Sequence, residues 1–101
     1  MGLDFVLWDK DDQEIGFTEI SEKLHETIFR GSYRGQIGQY LRNLYDYYLT
    51  YVTFKGKEIQ LLIFDLENMK SILNDPYKQE LERLIVTLSD NRVFRVYIAG
   101  D

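Results

Sequence analysis

The sequence predicts one α+β domain over residues 1–101, with about four helices packed on one side of a small, mostly antiparallel sheet. Three observations support this fold class. Aromatic and β-branched runs occur near both ends of the chain, helical patterns of apolar residues lie between them, and an Asp-Pro pair at 75–76 marks a clear boundary. A length of 101 residues and a hydrophobic content of 45% are enough for a single domain with its own core.

The chain opens with a predicted β-hairpin. Residues 3–8 form an aromatic and β-branched run that favours a strand, and residues 13–17 can form the returning strand. The acidic segment 9–12 between them is typical of a turn, because aspartate side chains accept hydrogen bonds from nearby backbone groups.

A short amphipathic helix is expected next. Thr18 or Ser21 can cap its first turn, and the helix should end near Arg30. Its glutamates lie off the apolar stripe, and those near the first turn suit the positive end of the helix dipole. The stripe repeats every four residues and consists of Ile20, Leu24 and Ile28.

The centre of the chain is unusually rich in tyrosine and is predicted to be a long helix over residues 37–52. At about 100° per residue, one face belongs in the core. A second strip, about 90° round, either packs beneath a neighbouring element or is available as an interface. The core face consists of Ile37, Leu41, Leu44, Tyr45, Tyr48 and Val52, and the second strip consists of Tyr40, Tyr47 and Tyr51.

Two interpretations are open for the segment that follows. The preferred one is a hairpin of residues 51–54 and 57–64 around a turn at Gly56, followed by a short helix over 66–73 that Asp65 caps. In the alternative, Gly56 separates two helices, because helical spacing also connects Ile59, Leu62, Ile63, Leu66, Met69 and Leu73.

The last two elements are a helix and a strand. Asp75 can cap a helix in which Pro76 takes the first position, and this helix should end near Ser89. Residues 92–99 then predict a strand with Arg95 on the same side as Tyr97. The helix is the most clearly patterned element, with apolar residues at Tyr77, Leu81, Leu84, Ile85 and Leu88.

Charge is unevenly distributed along this chain, whose net charge is −5. The first 29 residues carry eight acidic residues against two lysines, whereas residues 30–57 carry five basic residues against one aspartate. The acidic first third disfavours nucleic acid as a partner and suits a basic protein, since complementary charges speed association. The basic residues of the middle segment alternate with tyrosines, which is typical of a base-stacking platform, so a small RNA-binding or structural module is the alternative.

Neither catalysis nor a cofactor nor a metal site is predicted. The chain has no cysteine, which excludes disulfides, thiolate ligands and cysteine nucleophiles within it. His25 is the only histidine and has no second histidine at helical spacing for zinc. Asp9, Asp11 and Gln13, spaced two apart, suggest a calcium loop. That loop needs glycine where Glu14 stands and glutamate where Ile20 stands, so the sequence does not fit it.

The location expected from the sequence is cytoplasmic. The amino terminus has neither a basic flank nor a small-residue cleavage site, as a secretory signal would have. The longest apolar run, residues 61–64, is far shorter than a membrane span, so no membrane partner is expected.

The opening sequence Met1-Gly-Leu-Asp-Phe-Val-Leu-Trp-Asp9, with its charged turn and Glu14-Ile15, resembles the start of small acidic immunity proteins of bacterial toxin–immunity pairs. The resemblance covers residues 1–15 and implies a protein that binds and neutralises a cognate toxin, such as a basic nuclease. These families share no catalytic motif, so no functional residue is carried over. A phage-encoded inhibitor of a host defence protein would have the same composition and is an alternative.

The predicted partner-binding surface combines the acidic residues of the first third with the second tyrosine strip. The sequence predicts no oligomeric state. The candidate contact residues are Asp9, Asp11, Asp12, Glu14, Glu19, Glu22, Glu26, Tyr40, Tyr47 and Tyr51.

Overall fold

The computed structural model describes residues 3–31 and 34–100, without the side chain of Arg34. Within them the strands are β1 (Leu3–Trp8), β2 (Glu14–Ile20), β3 (Tyr51–Lys55) and β4 (Arg95–Ala99). The helices are α1 (Glu22–Phe29), α2 (Lys57–Lys70) and α3 (Tyr77–Leu88), and two short 3-10 turns lie at Arg34–Gln36 and Leu41–Leu44. The α+β class is confirmed, with three α-helices in the described residues rather than about four.

The sheet is antiparallel throughout and has the strand order β2-β1-β4-β3. The predicted opening hairpin is confirmed, although β2 continues to Ile20, three residues beyond the prediction. A bulge between Leu7 and Trp8 interrupts the register of β1 with β2. The two central strands, β1 and β4, come from opposite ends of the described chain, so the sheet ties these ends together.

A hydrophobic core lies between one face of the sheet and the helices. Strand alternation is clear in β1, where Leu3, Phe5 and Leu7 are buried while the residues between them are half-exposed. The buried residues of the helices repeat at three- and four-residue spacing, as expected for elements that cover one side of a sheet. They are Leu24 and Ile28 in α1, Ile59, Leu62, Leu66 and Met69 in α2, and Leu81, Leu84, Ile85 and Leu88 in α3.

The long helix predicted over residues 37–52 is wrong. Only Leu41–Leu44 forms a 3-10 turn, and the chain is already in strand β3 at Tyr51. Asp46 ends the helical conformation, because its Oδ1 accepts hydrogen bonds from the backbone N–H groups of Tyr48 (3.0 Å) and Leu49 (2.9 Å). The N–H groups of Tyr48 and Leu49 thus donate to a side chain instead of to the carbonyls four residues earlier, as a continuing helix would need.

A carboxylate from α2 holds the start of the same segment. Asp65 Oδ2 accepts hydrogen bonds from the backbone N–H groups of Tyr40 (2.9 Å) and Leu41 (3.1 Å). Gly38 makes this approach possible, because a Cβ atom at that position would overlap the Asp65 carboxylate. Asp65 therefore caps the 3-10 turn from a distant helix, instead of capping a helix of its own as predicted.

Because the long helix is not formed, its tyrosines lie in positions that differ from the predicted ones. Tyr45, which was expected in the core with Tyr48, is 61% exposed, and Tyr48 is also exposed. Tyr47 is buried instead, with 7% of its surface accessible. Tyr40 packs edge-on against Phe54 at a ring-centroid distance of 5.8 Å. The predicted tyrosine strip is not formed.

The preferred hairpin over residues 51–64 is also wrong in its second half. Residues 57–70 form one continuous helix, α2, which matches the helical spacing considered as the alternative. Gly56, at φ 54°, turns the chain from β3 into this helix, and Glu58 Oε1 accepts a hydrogen bond from the backbone N–H of Lys55 (2.9 Å). The prediction that Gly56 separates two helices is wrong as well, because a strand precedes it.

The C-terminal helix and strand are confirmed in slightly shorter form. Pro76 occupies the N-cap position of α3, and no side-chain cap hydrogen bond is present there, so the predicted capping role of Asp75 is wrong. Strand β4 begins at Arg95 rather than at residue 92, and Arg95 lies on the same side of the sheet as Tyr97, as expected.

Candidate functional site

The side of the sheet that faces away from the helices is a candidate site, and we call it the sheet face. Its residues follow from the register of the four strands, because directly paired residues point to the same side. In strand order β2-β1-β4-β3 they form three rows, which are Glu14, Trp8, Arg95 and Lys55; Phe17, Val6, Tyr97 and Thr53; and Glu19, Asp4, Ala99 and Tyr51.

Four aromatic residues, Trp8, Phe17, Tyr51 and Tyr97, lie on the sheet face. Phe17 is 58% exposed and Tyr51 is 77% exposed, and both lie on edge strands. Tyr51 packs edge-on against Tyr97 at 5.2 Å, and their hydroxyl contact raises the pKa of Tyr97. Trp8, the only tryptophan of the chain, lies 5.0 Å below the guanidinium of Arg95.

Charge on the sheet face is divided between its two halves. The acidic residues Asp4, Glu14 and Glu19 belong to β1 and β2, whereas Lys55 and Arg95 belong to β3 and β4. Arg95 is partly neutralised, since its Nη2 forms an ion pair with Asp12 Oδ1 at 2.8 Å. Together, the four strands and the β1–β2 turn carry six acidic residues against three basic ones, so this region is negative.

The β1–β2 turn forms an acidic rim beside the sheet face. Asp9 Oδ1 accepts hydrogen bonds from the backbone N–H groups of Asp11 and Gln13, both at 2.9 Å, which confirms the predicted turn chemistry. Asp12 has φ 60°, a conformation that aspartate tolerates better than most residues, and it reaches Arg95 at the sheet. The turn is thus tied to the same surface as Trp8.

The area of the sheet face can be estimated from strand geometry. Four strands at about 4.8 Å spacing span roughly 19 Å, and three rows at about 6.8 Å span roughly 20 Å. The resulting area of about 400 Å² is half of the roughly 800 Å² that one partner contributes to a standard protein interface. A specific protein complex on this face must therefore extend onto a neighbouring surface.

A cleft of about 250 Å³ between α1 and residues 45–48 is the second candidate, and we call it the α1 cleft. Tyr48 closes one side of it, because its hydroxyl donates to Glu22 Oε2 at 2.7 Å, which raises the pKa of Tyr48. Five of the nine lining residues are ring-bearing. The lining consists of Glu22, His25, Glu26, Phe29, Arg30, Tyr45, Asp46, Tyr47 and Tyr48.

His25 forms part of the inner wall of the α1 cleft. It is 4% exposed, and its Nε2 lies 2.6 Å from the carbonyl oxygen of Leu44. Because a carbonyl oxygen only accepts, Nε2 carries the proton and donates. Burial lowers the pKa of His25 below its ordinary value of 6.5. An imidazole that is held in this way supports the fold between α1 and residue 44 and is poorly placed to act as a general base.

The predicted contact residues fall into three groups rather than one surface. Asp9, Asp11, Asp12, Glu14, Glu19 and Tyr51 belong to the sheet face and its rim. Glu22, Glu26 and the buried Tyr47 line the α1 cleft. Tyr40 belongs to neither surface, since it packs against Phe54.

The sequence-based prediction missed Trp8, Phe17 and Tyr97 as surface aromatics. A signal for them was present, because strict alternation along β1 and β4 assigns Trp8 and Tyr97 to the side opposite the apolar core residues. Phe17 could not be found by alternation from the chain start, since the bulge near Trp8 shifts the register.

The described parts of the chain hold neither a cluster of metal-binding side chains nor a membrane-spanning helix. Residues 3–31 and 34–100 contain no group of three or more histidine, cysteine, aspartate or glutamate residues that could hold a metal ion. No helix in these ranges is both long and apolar enough to cross a membrane. No protein-family model matches the chain, and comparisons with curated proteins and with solved structures also give no match.

Proposed function

We propose that this protein is a protein-binding inhibitor without catalytic activity, which binds a basic partner through the sheet face. The observation that carries the proposal is the sheet face itself, where Trp8, Phe17, Tyr51 and Tyr97 lie beside an acidic half and an acidic rim. Aromatic residues dominate the binding energy of protein interfaces because they bury a large area at a small cost in conformational entropy.

The class of partner follows from charge. The sheet and the β1–β2 turn have an excess of three negative charges, so a basic surface is attracted to them before contact. A basic cytoplasmic toxin fits this description, and the resemblance of residues 1–15 to immunity proteins supports the same partner class. Residues 3–8 of that stretch form β1, which contributes a quarter of the sheet face.

Single-stranded RNA is the competing partner for an aromatic sheet face, since bases stack on exposed rings. Charge disfavours it here. A surface that binds nucleic acid is normally rich in lysine and arginine, whereas Arg95 is already paired with Asp12, and Asp4, Glu14 and Glu19 oppose phosphate. The same acidic residues favour a basic protein, so we propose the protein partner.

The decisive experiment first establishes whether a gene beside that of this chain encodes a basic protein, and then uses that protein in purified form. Wild-type protein should bind it, and co-expression should restore growth of a bacterial host that carries the toxin. The variant Phe17→Ala should weaken binding by about tenfold or more, as expected for a large exposed aromatic side chain that becomes buried in an interface. The double variant Glu14→Gln/Glu19→Gln should lower the association rate by about three- to tenfold at low salt and by less at high salt.

A matched control changes net charge by the same amount elsewhere. Glu67→Gln/Asp75→Asn removes two exposed carboxylates from α2 and the loop after it. If this control slows association as much as Glu14→Gln/Glu19→Gln does, net charge is responsible and the sheet face is not. If the wild-type protein and Phe17→Ala bind the partner with equal affinity, the sheet face is not the contact surface. Salt-sensitive binding of single-stranded RNA instead of the protein would favour the competing function.

A further inference from the structure

We propose that the α1 cleft receives a cationic side chain, an arginine or a lysine, from the basic partner. This inference rests on the proposed function, because the partner supplies the side chain, but the cleft can be tested without the partner. The cation site in the α1 cleft would add one specific contact to the proposed partner-binding surface.

The walls of the α1 cleft are a connected series of rings. Tyr45 meets Phe29 edge-on at 6.0 Å, Phe29 lies 4.6 Å from His25, His25 lies 5.0 Å from Tyr47, and Tyr47 meets Tyr48 edge-on at 5.3 Å. Of these rings only Tyr45 and Tyr48 are exposed, so they are the ones that a ligand can reach most directly. A cation over the face of an aromatic ring is attracted by the negative charge density there, which is how aromatic cages hold alkylammonium groups.

The charges around the α1 cleft favour the same ligand. Three carboxylates, Glu22, Glu26 and Asp46, face one guanidinium, Arg30. Among the side chains that the structure describes, neither Glu26 nor Asp46 forms an ion pair. With His25 neutral, the lining carries a net charge of −2, so a cation gains both from the rings and from the carboxylates.

The α1 cleft lies within reach of a partner on the sheet face. Glu19 is on the sheet face and Glu22 is in the cleft, three residues later. Tyr51 of the sheet face and Tyr48 of the α1 cleft are likewise three residues apart in sequence. Three extended residues span at most about 11 Å, so one partner can cover both surfaces. This continuation also supplies contact area that the sheet face lacks.

The experiment titrates the purified chain with N-acetyl-arginine methylamide and follows the aromatic signals by NMR. The neutral control is the citrulline derivative, which has nearly the same shape as the arginine derivative but no charge. Saturable shifts of the Phe29, Tyr45 and Tyr48 rings are expected with the arginine derivative, and weaker ones with the lysine derivative, whose ammonium cannot stack on a ring as a planar guanidinium does. The citrulline derivative should give no saturable shift.

Two variants locate the binding. Glu26→Gln should lower the affinity for the arginine derivative by about three- to fivefold, as expected for the loss of one nearby carboxylate in water. Glu67→Gln, an exposed position on α2 that does not line the cleft, should leave its affinity unchanged. Equal shifts with the arginine and citrulline derivatives, or shifts that do not saturate, would overturn the proposal. So would an equal loss of affinity in Glu26→Gln and Glu67→Gln, since that would indicate a general charge effect.

The two proposals fail in different ways. If the arginine derivative binds as expected but the partner protein binds Glu14→Gln/Glu19→Gln and Phe17→Ala normally, the sheet-face function is wrong and the cation site stands. If those variants impair partner binding but the arginine derivative gives no saturable shift, the sheet face stands and the cation site is wrong.

Discussion

Replacing Asp65 by alanine should unfold the central segment at a large cost in stability. The Asp65 carboxylate accepts two backbone hydrogen bonds, from Tyr40 at 2.9 Å and from Leu41 at 3.1 Å, and it is the contact that joins α2 to the 3-10 turn. In Asp65→Ala both donors lose their acceptor, and Leu41 is buried. A buried donor without a partner is costly because it has also lost water.

The size of the effect follows from these two bonds. Each hydrogen bond to a charged group contributes about 1.5–3 kcal/mol, but the two share one oxygen, and the N–H of half-buried Tyr40 can regain water. We therefore expect a loss of about 2–4 kcal/mol. A domain of this size has roughly 5–15 kcal/mol of stability in total, and a loss of about 3 kcal/mol lowers Tm by roughly 12–24 °C.

Urea unfolding followed by far-UV circular dichroism measures this loss. Glu67→Ala is the matched control on the same helix, because Glu67 makes only a surface ion pair with Lys70 and its removal should cost less than about 0.5 kcal/mol. Gly38→Ala tests the same contact from the other side, since its Cβ would displace the Asp65 carboxylate. The costs of Gly38→Ala and Asp65→Ala should therefore be far from additive.

The reasoning is refuted if Asp65→Ala costs less than about 1 kcal/mol with an unchanged urea m-value. It is also refuted if Gly38→Ala and Asp65→Ala are additive, because additivity would mean that Asp65 is not the neighbour that excludes a side chain at Gly38.

Three further predictions concern local structure. Gly56→Ala should cost about 1 kcal/mol in urea unfolding, because Gly56 has φ 54°, which an alanine adopts with strain; an unchanged midpoint would contradict this. Ser21→Ala should cost about 1 kcal/mol, since Ser21 Oγ caps α1 at Leu24 N–H (3.1 Å), whereas Ser21→Thr should retain most of the stability. For His25, whose pKa burial lowers, the unfolded chain binds the proton more readily, so stability should fall as pH decreases through about 6.5, by at most about 1.4 kcal/mol per pH unit. His25→Gln, which keeps a donor for Leu44, should remove this slope, and an identical slope in both proteins would contradict the assignment.

The fold class could be predicted from the sequence because its outer elements are locally consistent. The β1–β2 hairpin and α3 each have one clear period, and both are confirmed in the structure. The sequence of α2 fits two patterns. Residues 61–64 are a continuous apolar run, which is typical of a buried strand, while Ile59, Leu62 and Leu66 have the three- and four-residue spacing of a helix. The helical period prevails over residues 57–70, and the exposed side of α2 keeps two apolar residues, Leu61 and Phe64.

The central segment could not be predicted locally, because a distant residue determines its conformation. Helical counting from Ile37 assigned a plausible face to every tyrosine, yet Asp65 of α2 holds the start of the segment and Asp46 turns its middle. No pattern within residues 37–52 reveals the Asp65 contact. Tertiary contacts override weak helix preferences of this kind, since tyrosine, threonine and asparagine are all poor helix formers.

The sequence grouped the acidic residues of the candidate site better than it grouped the aromatic ones. Six of the eight acidic residues of the first third lie on the sheet face or its rim, whereas Glu22 and Glu26 line the α1 cleft. The tyrosine strip failed because it depended on the wrong helix, and Tyr51 alone of its three residues lies on that surface. Aromatic partners from other strands, Trp8 and Tyr97, take its place.

The most direct test of the sheet face as the binding surface uses Trp8 as an internal reporter. Trp8 is the only tryptophan of the chain and lies in the first row of the sheet face, so its fluorescence reports on that surface alone when the partner contributes a separable signal. In a complex with the purified basic partner, quenching of Trp8 by acrylamide should decrease sharply, and the Glu14→Gln/Glu19→Gln variant should need more partner to reach the same protection. If a mass measurement detects the complex but the quenching of Trp8 by acrylamide is unchanged, the account is contradicted.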